Sequence, residues 1–380
     1  MKKIILLIFL LFLTGCTDYR ELPDMAIIST VAIDYKDDEY NVIIQVLDSK
    51  ETESTKSSSP SVILYYSSGK TLQEAFRNIS LECPKKLYSG HIRAFIVKDN
   101  VFKSGASNFI DFVLRNHEIE KDFNLLITNE DINKIMNIIP PLEPIPSENI
   151  KTSIKNASKI QGSVNNIYFD KFLMNLYSIG IDPVLPSINI KKEDSINEEI
   201  NPKERLALSK NLAIFKDDKF INYLSSDASL GFNILNNSAT SSVITFKCDK
   251  NNYSSVELLN INSSFKFDVK TNEVKINLKL LATLSELNCN IDISKEEGIN
   301  ILKNMFTDRI KEIINKTIDE EKKYDVDYIG IEKYIYQNNY QFYTKNKDKI
   351  DNMIKNMDKD INVDITFTQK SSIRKGDEKY

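Results

Sequence analysis

The amino-acid sequence predicts an α+β protein of more than one mixed domain, and three observations carry that expectation. Period-two apolar runs alternate with capped amphipathic stretches along the first part of the chain. The last part orders its elements β-β-α-α-β, as an antiparallel sheet packed with long helices would. At 380 residues the chain exceeds what one compact core usually holds, so two or three domains are expected.

The first element is an address. Met1-Lys2-Lys3 precedes an apolar run from Ile4 to Leu13, and the run closes on Leu13-Thr14-Gly15-Cys16. Basic start, short apolar core and small residue before the cut match a secretory signal peptide, and the run is too short for a membrane span of ~20 residues. The L-x-G-C ending looks like a bacterial lipobox. Cys16 would then carry a diacylglycerol thioether as the new N-terminus, with residues 1–15 removed. The polar Thr17-Asp18-Tyr19-Arg20-Glu21 that follows speaks against an uncleaved anchor.

Composition narrows the classes further. The formal net charge is −4, more negative once the two leader lysines are cut away, and basic residues are interspersed with acids. This is the pattern of a solvated surface and excludes a nucleic-acid binder. A diacyl anchor holds stably without a polybasic patch. Besides Cys16, the cysteines are Cys83, Cys248 and Cys289, without C-x-x-C spacing or a visible disulfide framework. Cys248 and Cys289 read as small apolar residues buried in separate strands.

In order, Met25 to Ile33 and Tyr40 to Leu47 read as a β-hairpin turning at Asp37-Asp38. Ser49 to Ser61 lacks apolar periodicity and reads as a long exposed loop, and Val62 to Tyr66 resumes a strand. Thr71-Leu-Gln-Glu74 is a capping box opening a helix with Leu72, Ala75, Phe76 and Ile79 on one stripe. A strand over Ile92 to Val97, a short helix from Ser107 to Arg115 and a strand over Phe123 to Ile127 follow. Thr128 to Asp131 caps a helix carrying Ile132, Ile135, Met136 and Ile139, stopped at Pro140-Pro141. The prolines through Pro146 mark a domain border.

The middle begins with a helix through Phe169, Phe172, Leu173 and Leu176, ending at Gly180 with Pro183 beyond. Val184 to Ile190 is a strand candidate and Lys191 to Arg205 a charged linker. Leu206 to Phe215 and Phe220 to Leu224 form a hairpin around Lys216 to Lys219, before a helix from Asp227 to Leu235. Further on, Phe265 to Val269 and Val274 to Leu280 alternate as an antiparallel pair. Ser294-Lys-Glu-Glu297 reads as a third capping box, opening a long amphipathic helix through to Lys323. Ile350 to Met357 is a helix and Ile361 to Phe367 a last alternating strand.

These residues resemble the Ger(x)C proteins, the lipoprotein C subunits of spore germinant receptors in endospore-forming bacteria. The likeness starts at Cys16-Thr-Asp-Tyr-Arg-Glu-Leu-Pro-Asp-Met-Ala26 and continues in Pro84-Lys-Lys-Leu-Tyr-Ser-Gly-His91 and Ile110-Asp-Phe-Val-Leu-Arg115. It returns in Leu212-Ala-Ile-Phe-Lys-Asp-Asp-Lys219 and in the tail from Asp327 through Asp364, where the family has an aspartate, a glycine, a helix and an alternating strand. Thr17 replaces the family's usual tryptophan, the chain has no tryptophan at all, and Asn222 stands where the family tends to have glycine. Aromatic anchoring near the lipid then falls to Tyr19.

The resemblance implies a non-enzymatic subunit on the outer face of the inner spore membrane, with three successive α+β domains. It would act with a multi-span A subunit and a transporter-like B subunit as scaffold or signalling partner, while direct nutrient binding stays open. The expected division is a leader over 1–15, a lipidated tether over 16–24, domains over 25–140, 141–245 and 246–370, and a flexible tail over 371–380. The alternative is a substrate-binding lipoprotein of a transporter, which would show two α/β lobes around a cleft. No catalytic set, cofactor site or metal site is expected. Cys83 and His91 can be imagined as a nucleophile pair, but no orienting third residue is identifiable, and His91 and His117 are the only histidines. Asp37-Asp38 and Asp217-Asp218 read as turn residues and Glu296-Glu297 as part of a helix cap. No zinc spacing or phosphate-cradling loop appears.

Overall fold

The computed structural model describes residues 22–48, 61–143, 145–193, 203–249 and 251–368. The leader, the lipobox, most of the tether, nearly all of the Ser49 to Ser61 loop, the centre of the charged linker and the 371–380 tail lie outside the described residues.

The N-terminal sheet runs β1 (Met25–Lys36), β2 (Glu39–Leu47), β3 (Val62–Gly69), β4 (Lys86–Tyr88), β5 (Ala94–Lys98) and β6 (Asn124–Thr128). Its spatial order is β3-β2-β1-β5-β6, with β4 beside the start of β1. The hairpin pairs antiparallel, whereas β5 and β6 run parallel to β1. Helices supply the crossovers that parallel neighbours need. Helices α1 (Leu72–Asn78) and α2 (Ser107–Arg115) follow β3 and β5, and α3 (Ile132–Asn137) and α4 (Pro146–Ile160) follow β6. Strand alternation divides the apolar residues between two layers. Val31, Ile33, Phe95, Val97 and Leu125 join the main core with Phe76 and Phe109. Ala32, Ile43, Ala94, Ile96 and Leu126 meet Ile132, Met136, Ile150 and Ile154 on the other face.

The middle of the chain holds α5 (Phe169–Leu176), β7 (Val184–Leu185), β8 (Ile188–Lys192), β9 (Glu204–Leu208), β10 (Ala213–Lys216), β11 (Lys219–Tyr223) and α6 (Ser226–Leu235). Strands β10 and β11 form the expected hairpin, with β7 as third strand. The charged linker is shorter than the sequence suggests, because β8 and β9 pair with each other at its two ends.

The C-terminal sheet has the order β12 (Ser242–Lys247), β13 (Tyr253–Asp268), β14 (Glu273–Glu286), β15 (Asp358–Phe367). Between β14 and β15 the chain makes α7 (Glu296–Tyr324), α8 (Ile331–Asn338), α9 (Tyr340–Asn346) and α10 (Ile350–Asn356). This helical excursion returns β15 parallel to β14, so the sheet is mixed and the purely antiparallel expectation is corrected. Helix α7 spans about 44 Å at 1.5 Å per residue and buries Leu302, Phe306, Ile310, Ile313 and Ile314. Helix α6, buried on nearly all sides, lies against it.

The helix starts show how local chemistry shifts the pattern. Thr71 Oγ1 accepts from Glu74 N at 3.1 Å, while Glu74 Oε2 accepts from Lys70 N at 2.8 Å, one residue ahead of the usual partner. Asp131, not Thr128, caps α3. Ser294 bonds Asp292 instead of capping, and α7 starts after Lys295 without a side-chain cap. Gly180, with φ +68°, lies past the Tyr177 cap of α5 and opens the next turn.

Candidate functional site

Leu13, Thr14, Gly15 and Cys16 lie outside the described residues. Cys83 is buried against Tyr65, whose hydroxyl is raised first by burial and then by that thiol. His91 faces elsewhere, with Nδ1 3.3 Å from the Gly90 carbonyl. Each has its own neighbour. His117 lines a groove of about 600 Å³ between α1 and α2, together with Arg77 and Arg115. Arg115 is held by Asp111 at 2.7 Å.

The acid pairs divide. Asp37 and Asp38 both take left-handed backbone in the β1-β2 turn, with φ 54° and 63°. Glu296 and Glu297 stand in the first turn of α7, where their charge favours the helix dipole. Asp218 does more than turn a hairpin. Its Oδ2 accepts from Ser107 Oγ at 2.7 Å and from Ser107 N at 3.2 Å, and its carbonyl accepts from Ala106 N at 2.8 Å. The β10-β11 hairpin is thereby fastened to the start of α2.

A charged junction that sequence reasoning missed lies where three chain segments meet. After Gly180 the chain turns through Asp182 into β7. After α7, Asp325 takes left-handed backbone (φ 59°), and Val326 to Gly330 lead into α8. Asp182 N donates to the Asp327 carbonyl at 2.8 Å, and Asp327 N donates back to Asp182 Oδ2 at 2.8 Å. Asp182 Oδ1 accepts from Asp217 N at 3.0 Å, bringing in the β10-β11 turn. The Asp327 carboxylate accepts from Gly330 N at 2.7 Å, Glu332 N at 2.9 Å and Ile331 N at 3.1 Å, satisfying donors that the α8 start leaves free. Glu321 on α7 accepts from Ile329 N at 3.0 Å.

These groups border a cavity of about 340 Å³ whose wall also carries Lys216, Glu332, Asp351 and Lys359. Burial pushes the Glu321 carboxyl well up, and Asp327 adds to it. Burial also raises Asp327, against the pull of its three main-chain donors. Glu332 is pushed up to about 7, by burial first and then by the Asp351 carboxyl beside it. The junction can therefore hold a proton near neutrality. Its interactions are those of a fastening: acceptors are spent on main-chain donors of neighbouring segments. Among the described residues no cluster of three or more His, Cys, Asp or Glu side chains could hold a metal ion. The tail motif from Asp327 to Gly330 was visible in the sequence. Asp182, Glu321 and Glu332 carry no local pattern and become visible only in three dimensions.

The cysteines require a correction. Cys248 and Cys289 are bonded to each other, with Cα atoms 5.7 Å apart, rather than buried separately as small apolar residues. The bond ties the end of β12 to the segment leading into α7. Ser254 Oγ lies 2.7 Å from Cys289 Sγ and accepts from Asn288 N at 3.1 Å. Two odd-looking cysteines 41 residues apart gave no sequence signal, because the strands that align them had first to pair.

Comparison with known proteins supplies the family. Residues 18–190 match the model described as spore germination protein N-terminal domain, and residues 210–370 match spore germination B3/GerAC like, C-terminal. Among curated relatives from Bacillus subtilis (strain 168), spore germination protein KC is 23% identical, covering 92% of this chain and 90% of its own. The putative spore germination protein YfkR is also 23% identical, covering 87% and 86% respectively. The crystal structure of the GerBC protein superposes with a TM-score of 0.54 at 15% identity, covering 89% of this chain and 97% of that one. Two family models in the family's order, spanning nearly everything after the leader, place this chain in the Ger(x)C family of spore germination proteins.

Proposed function

We propose that the chain is the lipid-anchored C subunit of a nutrient germinant receptor, held through Cys16 on the outer face of the inner spore membrane. There it acts as a non-enzymatic scaffold or signalling partner of membrane A and B subunits. The observation that carries this reading is the succession of a lipobox and the two spore germination models in one chain. The Cys248–Cys289 bond supports the compartment, since disulfides persist where thiols are not kept reduced. Among the described residues no helix is long and apolar enough to cross a membrane. The reading divides the mature chain into a tether over 16–24 and domains over 25–140, 141–245 and 246–370, borders that limited proteolysis can check.

The test is a membrane pull-down from dormant spores with a C-terminally tagged chain, comparing wild type with Cys16→Ala. Recovery of a multi-span pair with the wild type, lost or reduced with the variant, is the expected result. Recovery of an ABC permease and its ATPase, or abundance in growing cells with absence from spores, would replace this reading with that of a transporter's substrate-binding lipoprotein.

A further inference from the structure

The two most exposed large apolar side chains among the described residues are Leu142, 94% exposed, and Leu81, 85% exposed. They belong to different faces of the N-terminal sheet yet gather at one end of it. Leu81 ends the 3₁₀ turn Ile79–Leu81 after α1, five residues before Lys86, which pairs with Met25 at the very start of β1. Leu142 lies in the connection between α3 and α4. The Met136 carbonyl of α3 accepts from Gln45 Nε2, beside Thr30, and Glu148 of α4 pairs with Arg93, whose N donates to Ser29. Leu81 is thereby tied to the level of Met25 and Leu142 to that of Ser29 and Thr30, where β5 and β6 begin, on the same end of the sheet. Leu114, another exposed leucine, is in the last turn of α2 at the same end, where Glu118 pairs with Lys86.

That end is also where the chain arrives from Cys16. Leu22, the first described residue, is six positions past Cys16, and six extended steps reach about 20 Å at most. A lipid on Cys16 thus keeps this end of the sheet close to the bilayer. Solvated apolar tips on an otherwise charged rim suit the headgroup and acyl boundary, where interfacial elements bury apolar groups about 5–10 Å deep. The paired rim charges make no positive patch: Lys86 faces Glu118, and Arg93 faces both Asp122 and Glu148. Electrostatic attraction to anionic lipid is therefore not the driving force.

We propose that this end of the N-terminal sheet is the membrane-facing surface of the protein, with Leu81 and Leu142 set into the bilayer that holds the Cys16 anchor. The inference rests on the reading of Cys16 as lipidated. It fixes the orientation of the subunit, with β1 leading away from the membrane and Lys36 about 36 Å further out at ~3.3 Å per residue.

The chain has no tryptophan, so a single introduced indole reports its own surroundings. The lipidated full chain carrying Leu81→Trp, Leu142→Trp or, as reference, Lys36→Trp is reconstituted into phosphatidylcholine vesicles with and without anionic lipid. Expected are flotation with the vesicles, blue-shifted emission at positions 81 and 142 with quenching by lipids brominated near the headgroup, and neither change at position 36. Anionic lipid should make no difference. If the chain floats and both leucine-site indoles stay as solvent-exposed as the reference, the orientation is overturned while the anchor stands. If the wild-type chain does not float, the anchor itself fails, and the orientation with it. Either reporter decides alone should the other variant melt early.

Discussion

Asp182 and Asp327 hold each other through their main chains: each backbone N–H donates across the junction at 2.8 Å, one to a carbonyl and one to a carboxylate. The two residues are 145 positions apart, so the middle of the chain and the loop after α7 are fastened by groups that nothing local would bring together.

Replacing Asp182 by alanine leaves the Asp327 N–H without its acceptor in a part-buried junction, while the N–H of Asp217, an exposed residue, can turn to water. One orphaned donor costs about 1–3 kcal/mol, so a loss of about 1–3 kcal/mol is expected in urea unfolding of the soluble chain. Asp182→Asn, which keeps one carbonyl acceptor, should lose less. Equal and small losses for both variants would mean that water replaces the carboxylate freely.

The same junction should make stability depend on pH. Glu332 has an ordinary carboxyl value of 4.5, raised in the folded chain to about 7, by burial first and by Asp351 second. The folded state then binds a proton that the unfolded state releases, so the contribution is complete below 4.5 and is lost as pH climbs through about 7. Glu321 and Asp327 are raised in the same sense. Carboxylates held below their usual range, such as Asp131 and Asp249, act in the opposite sense, but only at more acid pH. The melting temperature should fall between mildly acid and slightly alkaline buffer, and Glu332→Gln should flatten that fall. A variant curve parallel to the wild type would assign the slope to other groups.

The Cys248–Cys289 bond closes a loop of 41 residues' separation that contains β13 and β14. Closing a loop of that length restricts the unfolded chain by an amount worth about 2–4 kcal/mol. Cys248→Ser/Cys289→Ser, or reduction of the wild type, should therefore lower the denaturant midpoint. Cys83, free and buried, should react with thiol reagents only after unfolding. Non-reducing peptide mapping of protein taken from spores checks the pairing directly.

Much of the architecture was legible because it is written in period and punctuation. The β1-β2 hairpin, α2, the β10-β11 hairpin, α6 and α7 each follow from local apolar spacing and turn chemistry. What was not legible depends on partners distant in sequence. The parallel placement of β15 is decided by the four helices before it, and α4 hid because Ile150 and Ile154 alone mark its buried face. The Asp182 to Asp327 junction and the disulfide need the fold before they exist. The lipobox is the reverse case, plain in sequence and outside the described structure.

Gly231 marks a close approach of α6 to α7. A Cβ built there would collide with Thr317 Oγ1 and come within 2.9 Å of the Ile313 carbonyl, both on α7. Thr317 has little room to yield, since it is fully buried and its hydroxyl bonds the Ala228 carbonyl at 3.1 Å as well as Ile313 O at 3.0 Å. Gly231→Ala would gain about 1 kcal/mol from helix propensity alone. The collision outweighs it, because forcing extra volume into a packed contact costs about 1–3 kcal/mol and here also disturbs a buried hydrogen bond. Net destabilisation is expected in urea, and Thr317→Ala, which opens the space, should make Gly231→Ala less harmful than in the wild-type background. Additive losses in the double variant would mean that the two helices accommodate the methyl by moving apart, and that their contact is looser than the glycine implies.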